Sequence, residues 1–247
     1  MKIATWNVNG IRARHEQFAS WVAAEQPDVI CLQEIKANLQ QVPQTCMTEG
    51  YTCYWHGGGG YSGVAMHVRH SFAPAVTFTH PAFDHENRIV EAQIEDTVFT
   101  SVYVPNGGKD FDAKVAFVNA LIQYAAGIRQ RGLKLVLCGD MNIARTDMDV
   151  HPKERKPRAI GQLPFERELL EKLIAQGLVD VGRALYPDDE NYFSWWAPWR
   201  NLRQRNIGWR LDYVLASEEI ARRAISCPSM REVGTSDHAP VVATFTP

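Results

Sequence analysis

Short apolar runs that each end in a carboxylate, an amide or an imidazole constrain this chain more than any other feature. Lys2-Ile-Ala-Thr-Trp6 alternates like a strand and runs into Asn7, and Asp28-Val-Ile-Cys-Leu-Gln33 is a short, largely buried strand that hands over to Glu34. Lys134-Leu-Val-Leu-Cys138 leads into Gly139-Asp140-Met141-Asn142, with Gly139 read as the residue that lets the backbone turn. Arg210 to Ala216 carries Asp212 inside an apolar strand, and Ser236-Asp237-His238 precedes a last strand from Ala239 to Phe245. Strands with such ends project their polar groups from the rim of a sheet.

Three more strands are predicted, Val64 to Val68, Ile89 to Ile94 and Phe99 to Val104, separated by turn-like stretches. Helical spacing covers Glu16 to Ala24, about Asp112 to Gln130 with a stop at Gly132, and Phe165 to Gln176 with Gly177 as cap. Strands in both halves with helices between some of them fit two packed sheets with helices outside, an α/β sandwich. The same pattern fits a three-layer doubly wound sheet. Neither a repeat nor a linker divides the chain, so one domain over residues 1–247 is expected, and 45% apolar residues suffice for a large core.

No apolar run approaches the roughly 18 residues of a membrane span, so no membrane partner is expected. Met1-Lys2 leads straight into the first strand, leaving no room for a signal peptide, and a cytoplasmic location is predicted. Five cysteines without a Cys-x-x-Cys pair argue against a zinc site and a disulfide framework, and Cys31 and Cys138 read as small core residues. A net charge of −2 announces no polyanion ligand, so nucleic-acid binding must rest on local charge. Lys153, Arg155, Lys156 and Arg158 form one basic cluster. Arg200, Arg203, Arg205 and Arg210 form another, interleaved with Trp195, Trp196, Trp199 and Trp209, the composition that nucleotide contact requires.

Asn7, Glu34 and Asp237 offer oxygen ligands without a thiolate or an imidazole pair, which describes a hard-cation site. Asp140 and Asn142 follow a strand as a base and a hydrogen-bonding partner would. A histidine flanked by aspartates is built for orientation, one ring nitrogen on a carboxylate and the other free to donate. No Gly-x-Ser-x-Gly elbow accompanies it, which excludes the serine hydrolase reading. His56, His67, His70 and His80 show no ligand spacing and read as surface or packing residues. His56-Gly-Gly-Gly-Gly-Tyr61 lacks the Gly-Lys-Ser/Thr ending of a phosphate loop.

Trp6-Asn7-Val8-Asn9-Gly10, Leu32-Gln33-Glu34, Gly139-Asp140-Met141-Asn142, Asn206-Ile-Gly-Trp-Arg-Leu-Asp-Tyr-Val-Leu215 and Ser236-Asp237-His238 stand in one order from Lys2 to about Phe245. Together they resemble the exonuclease III and abasic-site endonuclease family, within the metal-dependent phosphodiesterases that include pancreatic deoxyribonuclease. The resemblance implies a four-layered αββα sandwich and a Mg²⁺ ion, replaceable by Mn²⁺, near Asn7, Glu34 and Asp237. It implies that Asp140 activates the attacking water, that Asn142 and Tyr103 contact phosphate, and that Asp212 supports His238 at the scissile phosphate. Arg12, Tyr61, Asn106 and Lys109 would meet the DNA. Trp195, Trp209 and Leu211 would line a pocket for an extrahelical abasic sugar, with Trp199 entering the DNA beside it and Asn206 in the same substrate-binding run.

The activity so implied is hydrolysis 5' to abasic sites in duplex DNA, with 3'-5' exonuclease and 3'-phosphatase activity on 3'-blocked ends, by a monomer. Three departures bear on it. His151 to Gly161 replaces an Asn-rich segment, and His151 and Pro152 are expected to narrow the sugar pocket, which favours trimming of 3' ends. Asn9 stands where some relatives carry aspartate, and Lys109 keeps a charge without the bidentate fork of arginine. The alternatives are a specialised 3'-5' exonuclease or 3'-phosphatase, a same-fold phosphatase on lipid or inositol phosphates, and a non-catalytic DNA-binding module.

Overall fold

The structure, a computed structural model, describes residues 1–246. Its first sheet contains β1 (Lys2–Asn7), β2 (Val29–Gln33), β3 (Tyr51–His56), β4 (Val64–Arg69), β11 (Ala224–Ser226) and β12 (Val241–Phe245), in the order β11-β12-β1-β2-β4-β3. The second contains β5 (Phe78–Thr79), β6 (Ile89–Ile94), β7 (Thr97–Tyr103), β8 (Lys134–Asp140), β9 (Leu178–Asp180) and β10 (Asp212–Ser217), in the order β5-β6-β7-β8-β10-β9. The pairs β1–β2 and β7–β8 are parallel and both are bridged by a helix: α1 (His15–Glu25) and α2 (Phe111–Gln130) respectively. The remaining α-helices among the described residues are α3 (Pro164–Ile174), α4 (Val181–Leu185) and α5 (Glu218–Ala221).

Alternation along the central strands explains the layering. Val29 and Cys31 of β2 join Val136 and Cys138 of β8 in the core between the sheets, whereas Ile30 and Leu32 face Phe18, Trp21 and Val22 of α1. Leu135 and Leu137 turn the other way, onto Leu121 and Ile128 of α2 and Leu169 and Leu173 of α3. Both faces of these strands are buried, which is why their sequences read as continuous apolar runs. The result is the αββα sandwich that the resemblance implies, not the three-layer alternative. The five cysteines are free, and no helix among the described residues is long and apolar enough to cross a membrane.

Polar side chains enter the inter-sheet core where it approaches the strand ends. Thr5 donates to Gln33 Oε1 at 3.1 Å, Gln33 Nε2 donates to Ser101 Oγ at 3.1 Å, and Ser101 donates to the Leu32 carbonyl at 3.1 Å, all four residues being buried. Every member has a partner, so the thread ties the two sheets in register without an unpaired polar group.

Gly139 does not turn the chain. It lies within β8, paired with Val102 and Tyr213, and a Cβ there would stand 1.8 Å from the Val102 carbonyl oxygen. Its smallness lets β7 approach and carries the strand on to Asp140. The turn comes at Asn142, whose φ is 51°.

Candidate active site

Asp140 and Asp212 sit opposite each other at the paired ends of β8 and β10, and Tyr103 flanks Asp140 on β7. From the other sheet, Asn7 reaches across. Its Nδ2 donates to Asp140 Oδ2 and to Glu34 Oε1, both at 2.9 Å. Asp140 Oδ1 accepts the Asn142 backbone N–H at 2.9 Å, and Asn142 Nδ2 donates to the Val104 carbonyl at 2.9 Å. His238 Nδ1 meets Asp212 Oδ2 at 2.8 Å, leaving Nε2 3.8 Å from Asp140 Oδ2. Asn9, Glu34 and Asn142 all adopt left-handed backbone, with φ of 43°, 50° and 51°. Non-glycine residues are held in that region only where surroundings fix them, and such positions cluster at functional sites.

The centre carries more negative than positive charge. Burial pushes the Asp140 carboxyl up to about 7, and the neighbouring Asp212 and Glu34 charges push the same way, against the pull of His238. Burial opposes a charge on His238, yet the Asp212 and Asp140 carboxylates outweigh it and raise the imidazole well above its ordinary range. Glu34 is lowered although burial works against its charge, because Asn7 and Lys36 hydrogen-bond the carboxylate. Glu34, Asp140 and His238 bring one ligating atom each within 4.8 Å of one another. Asp212 Oδ1 is buried without a hydrogen-bond partner. An oxygen-rich donor set with surplus negative charge and an unpaired carboxylate oxygen fits a hard divalent cation.

Of the three residues expected as ligands, Glu34 alone belongs to this three-residue set. Asn7 presents its nitrogen to the carboxylates, and its Oδ1 accepts the Asn9 N–H at 3.0 Å. Asp237 stands outside the three-residue set: Asn9 Nδ2 donates to it at 2.7 Å and Trp195 Nε1 at 3.0 Å. Asn9 thus shares a carboxylate that an aspartate in its place would repel.

Around the centre, Tyr103 is 7% exposed with the Arg88 guanidinium 4.8 Å from its ring centre. Arg88 also donates to the Tyr61 hydroxyl at 2.8 Å, and Lys109 Nζ lies 5.7 Å from the Tyr61 ring centre. These residues and Asn106 line a cavity of about 770 Å³. Asn106 donates to Asn142 Oδ1 at 3.2 Å. Lys114, buried against Glu166 at 2.5 Å, donates to the carbonyls of Asn142 and Asn106 at 2.8 and 3.2 Å and so fixes both loops. Arg12 is exposed.

Trp195 and Trp209 pack edge to face at 5.5 Å and lie against Leu211, Val150 and Ala144. Trp199, by contrast, is 59% exposed. Asn206 is committed to the fold, accepting from Trp196 Nε1 at 3.2 Å and donating to the Asn191 carbonyl at 3.0 Å. His151 has its own contacts in the loop. Its ring meets the edge of Phe193 and its Nδ1 accepts the Lys153 N–H at 3.2 Å, while Val150 next to it is the residue that packs with Trp209. Pro152 is exposed.

Two members of the second basic cluster are not surface charges. Arg210 is 1% exposed and pairs with Asp149 at 2.7 Å and with Asp180 at 2.8 Å. Arg203 donates to the carbonyls of Arg231, Ser236 and Val233. Lys36 and Ser194 have places that the sequence reading passes over. Lys36 Nζ lies 2.8 Å from Glu34 and donates to Asn9 Oδ1 at 2.6 Å. Ser194 donates to Asp212 Oδ2 at 2.6 Å while accepting the N–H groups of Leu211 and Asp212 at 3.0 Å. Lys36, two residues after Glu34, was within reach of a spacing argument; Ser194 carried no signal.

A charged imidazole and a surplus of carboxylates at the rim of an αββα sandwich define a hydrolytic centre that calls for a cation. The chain belongs to the endonuclease/exonuclease/phosphatase family, whose profile matches residues 4–238. It is 35% identical to an exodeoxyribonuclease of Bacillus subtilis, across 98% of both chains. Among solved structures, an AP endonuclease from Archaeoglobus fulgidus superposes with a TM-score of 0.89 at 28% identity, over the whole of both chains. A 3' phosphatase from Neisseria bound to product DNA hairpin gives 0.90 at 31% identity, again over the whole of both.

Proposed function

We propose that this chain is a DNA repair phosphodiesterase that hydrolyses the bond 5' to an abasic site in duplex DNA, and that it also removes 3'-terminal nucleotides and 3'-phosphates. The observation that carries this reading is the bridge of Asn7 between Glu34 and Asp140, with His238 held on Asp212 beside them. Water attacks phosphorus in line with the bond to the leaving 3'-oxygen, and Asp140 takes the proton that the water gives up. A carboxyl raised towards neutrality is a better acceptor for that proton than an ordinary aspartate. His238, kept protonated by Asp212, donates Nε2–H to a non-bridging oxygen, and Asn142 and Tyr103 offer further donors to the pentavalent phosphorus centre. Glu34, with Asn7 and Asp237, would hold Mg²⁺ or Mn²⁺ in its place, which would supply positive charge to the phosphoryl and leaving oxygens.

Trp195, Trp209 and Leu211 form the apolar wall that receives a sugar lacking its base, a lesion that costs little to extrude because it has no pairing partner. Trp199 enters the duplex beside it, and Tyr61, Asn106, Lys109 and Arg12 follow the backbone. Asn206 acts by holding Trp196 in place.

A second reading, a 3' exonuclease and 3'-phosphatase with weak abasic activity, draws on the departure from the family pattern between His151 and Gly161, a segment whose two ends, at Val150 and Gly161, lie against Trp209. Two labelled duplexes with Mg²⁺ separate the readings, one with an internal abasic analogue and one with a recessed 3' end, each repeated with EDTA. Metal-dependent incision of the abasic duplex at the lower enzyme concentration is expected. Trimming of the 3' end alone would establish the second reading, and cleavage undiminished by EDTA would overturn both.

A further inference from the structure

His56 ends β3, His80 follows β5, and Asp84 lies in the turn before β6; the three place one ligating atom each within 4.8 Å of the others. None of them belongs to the carboxylate centre. Sequence spacing reads both histidines as surface or packing residues, because the separations carry no ligand pattern. The fold supplies what spacing does not. The His80 ring donates Nδ1–H to the Ile89 carbonyl at 3.0 Å, which fixes the tautomer and leaves the Nε2 lone pair to the Tyr54 hydroxyl at 2.8 Å. Asp84 Oδ1 accepts the backbone N–H groups of Arg88 and Ile89 at 2.8 and 3.1 Å, which directs Oδ2 to His56 Nε2 at 2.6 Å. The two imidazoles stack with centres 3.8 Å apart and planes 22° apart. A ligating histidine tied to a carbonyl, and a carboxylate tied to backbone N–H groups, is the outer-shell arrangement that orients metal ligands.

We propose that His56, His80 and Asp84 bind a divalent first-row transition-metal ion, with Zn²⁺ the fitting member, at a site separate from the carboxylate centre. Two imidazoles and one carboxylate suit Zn²⁺ or Co²⁺ and are a poor set for Mg²⁺, which demands oxygen ligands. All three residues are partly open to solvent, so an ion can enter. It replaces the His56–Asp84 and Tyr54–His80 hydrogen bonds, the proton on His56 Nε2 passes to Nδ1 of the same ring, and the nearly parallel rings shift so that both Nε2 atoms point at the ion. Water or the Tyr54 hydroxyl completes four ligands. The bound ion fastens the end of β3 to the turn that precedes Arg88. Arg88 holds the Tyr61 hydroxyl, so the ion stiffens the glycine-rich segment between His56 and Tyr61 from both of its anchors.

Titration of the whole protein with Co²⁺, in excess Mg²⁺ to occupy the carboxylate centre, reads the site through the visible d–d absorption of four-coordinate Co²⁺. The expected result is saturation at one equivalent, binding weakened more than about tenfold in His80→Gln and in Asp84→Asn, and an unchanged band in Glu34→Gln. Added Zn²⁺ should abolish the band and raise the melting temperature of the native protein but not of either site variant. Ion-free melting curves show whether each variant is folded, and Asp84→Asn keeps the backbone hydrogen bonds should His80→Gln not fold. Absence of a band in the native protein, its persistence in both site variants, or its loss in Glu34→Gln would overturn the proposal.

Discussion

Two buried charge clusters lie a few residues apart along this chain, and they are built to opposite ends. Around Arg210, Asp149 and Asp180 are matched by Arg210, Arg183 and Arg145. Asp149 is held down at about 2: burial opposes its charge, but Arg210 and Arg183 outweigh burial. Around Asp140, three further carboxylates stand close, those of Glu34, Asp212 and Asp237; the ion pairs of this group are with His238 and Lys36, and Asp140 is pushed upward. The carboxylates of the first cluster are paired within the protein, and the cluster acts as a fastening between loops. The second is left with a negative surplus that a cation and a phosphate-bound proton relay can use, which is the pattern expected where stability is traded for function.

Three changes probe that contrast, the largest first. Asp140→Asn should lower kcat on the order of a thousandfold in the cleavage assay. Because its folded pKa lies above the ordinary value, the ionised carboxylate costs stability at neutral pH, so the same variant should melt no lower than the native protein. Loss of both activity and stability would erase the contrast. Arg210→Met should behave in reverse, with an unfolding free energy lower by about 3–5 kcal/mol in urea titrations because two buried carboxylates lose their partner. Ser194→Ala removes one hydrogen bond to a charged group, and kcat should fall about tenfold with KM little changed; an effect on KM alone would place Ser194 in substrate binding instead of behind Asp212.

A separate change, which shows only at acid pH, concerns His67, which belongs to neither cluster. Its ring is buried against the edges of Phe18 and Trp55, neither nitrogen has a partner, and burial lowers its pKa to about 3. The unfolded chain binds a proton near pH 6.5 that the folded chain refuses. Stability is therefore whole above about 6.5 and falls as the pH drops towards 3, by up to about 1.4 kcal/mol per unit. His67→Leu should flatten that acid slope in urea titrations, and an unchanged slope would show that the loss arises elsewhere.

Much of this was legible in the sequence, for a physical reason. Strands buried on both faces, such as Val29–Gln33 and Lys134–Asp140, announce themselves by apolar density, and their polar ends mark the site. The half-buried β3 and the three-residue β9 and β11 gave no such density and were not predicted. Arg210 shows what composition misses. It stands between Trp209 and Leu211 in sequence, yet alternation sends those two to the indole cluster and Arg210 to carboxylates at Asp149 and Asp180. Ser194 and the Asn9–Asp237 contact depend likewise on distant chain segments that only the fold brings together.

Calorimetric titration of Mg²⁺ into the native protein and into Glu34→Gln, each at about pH 6 and about pH 8, tests the central claim most directly. The account predicts binding by the native protein that strengthens with pH as Asp140 loses its proton, and a large loss of affinity in Glu34→Gln at both pH values. Equal affinity in the two proteins, or binding that does not change between the two pH values, would contradict the assignment of the unbalanced carboxylates as the cation site.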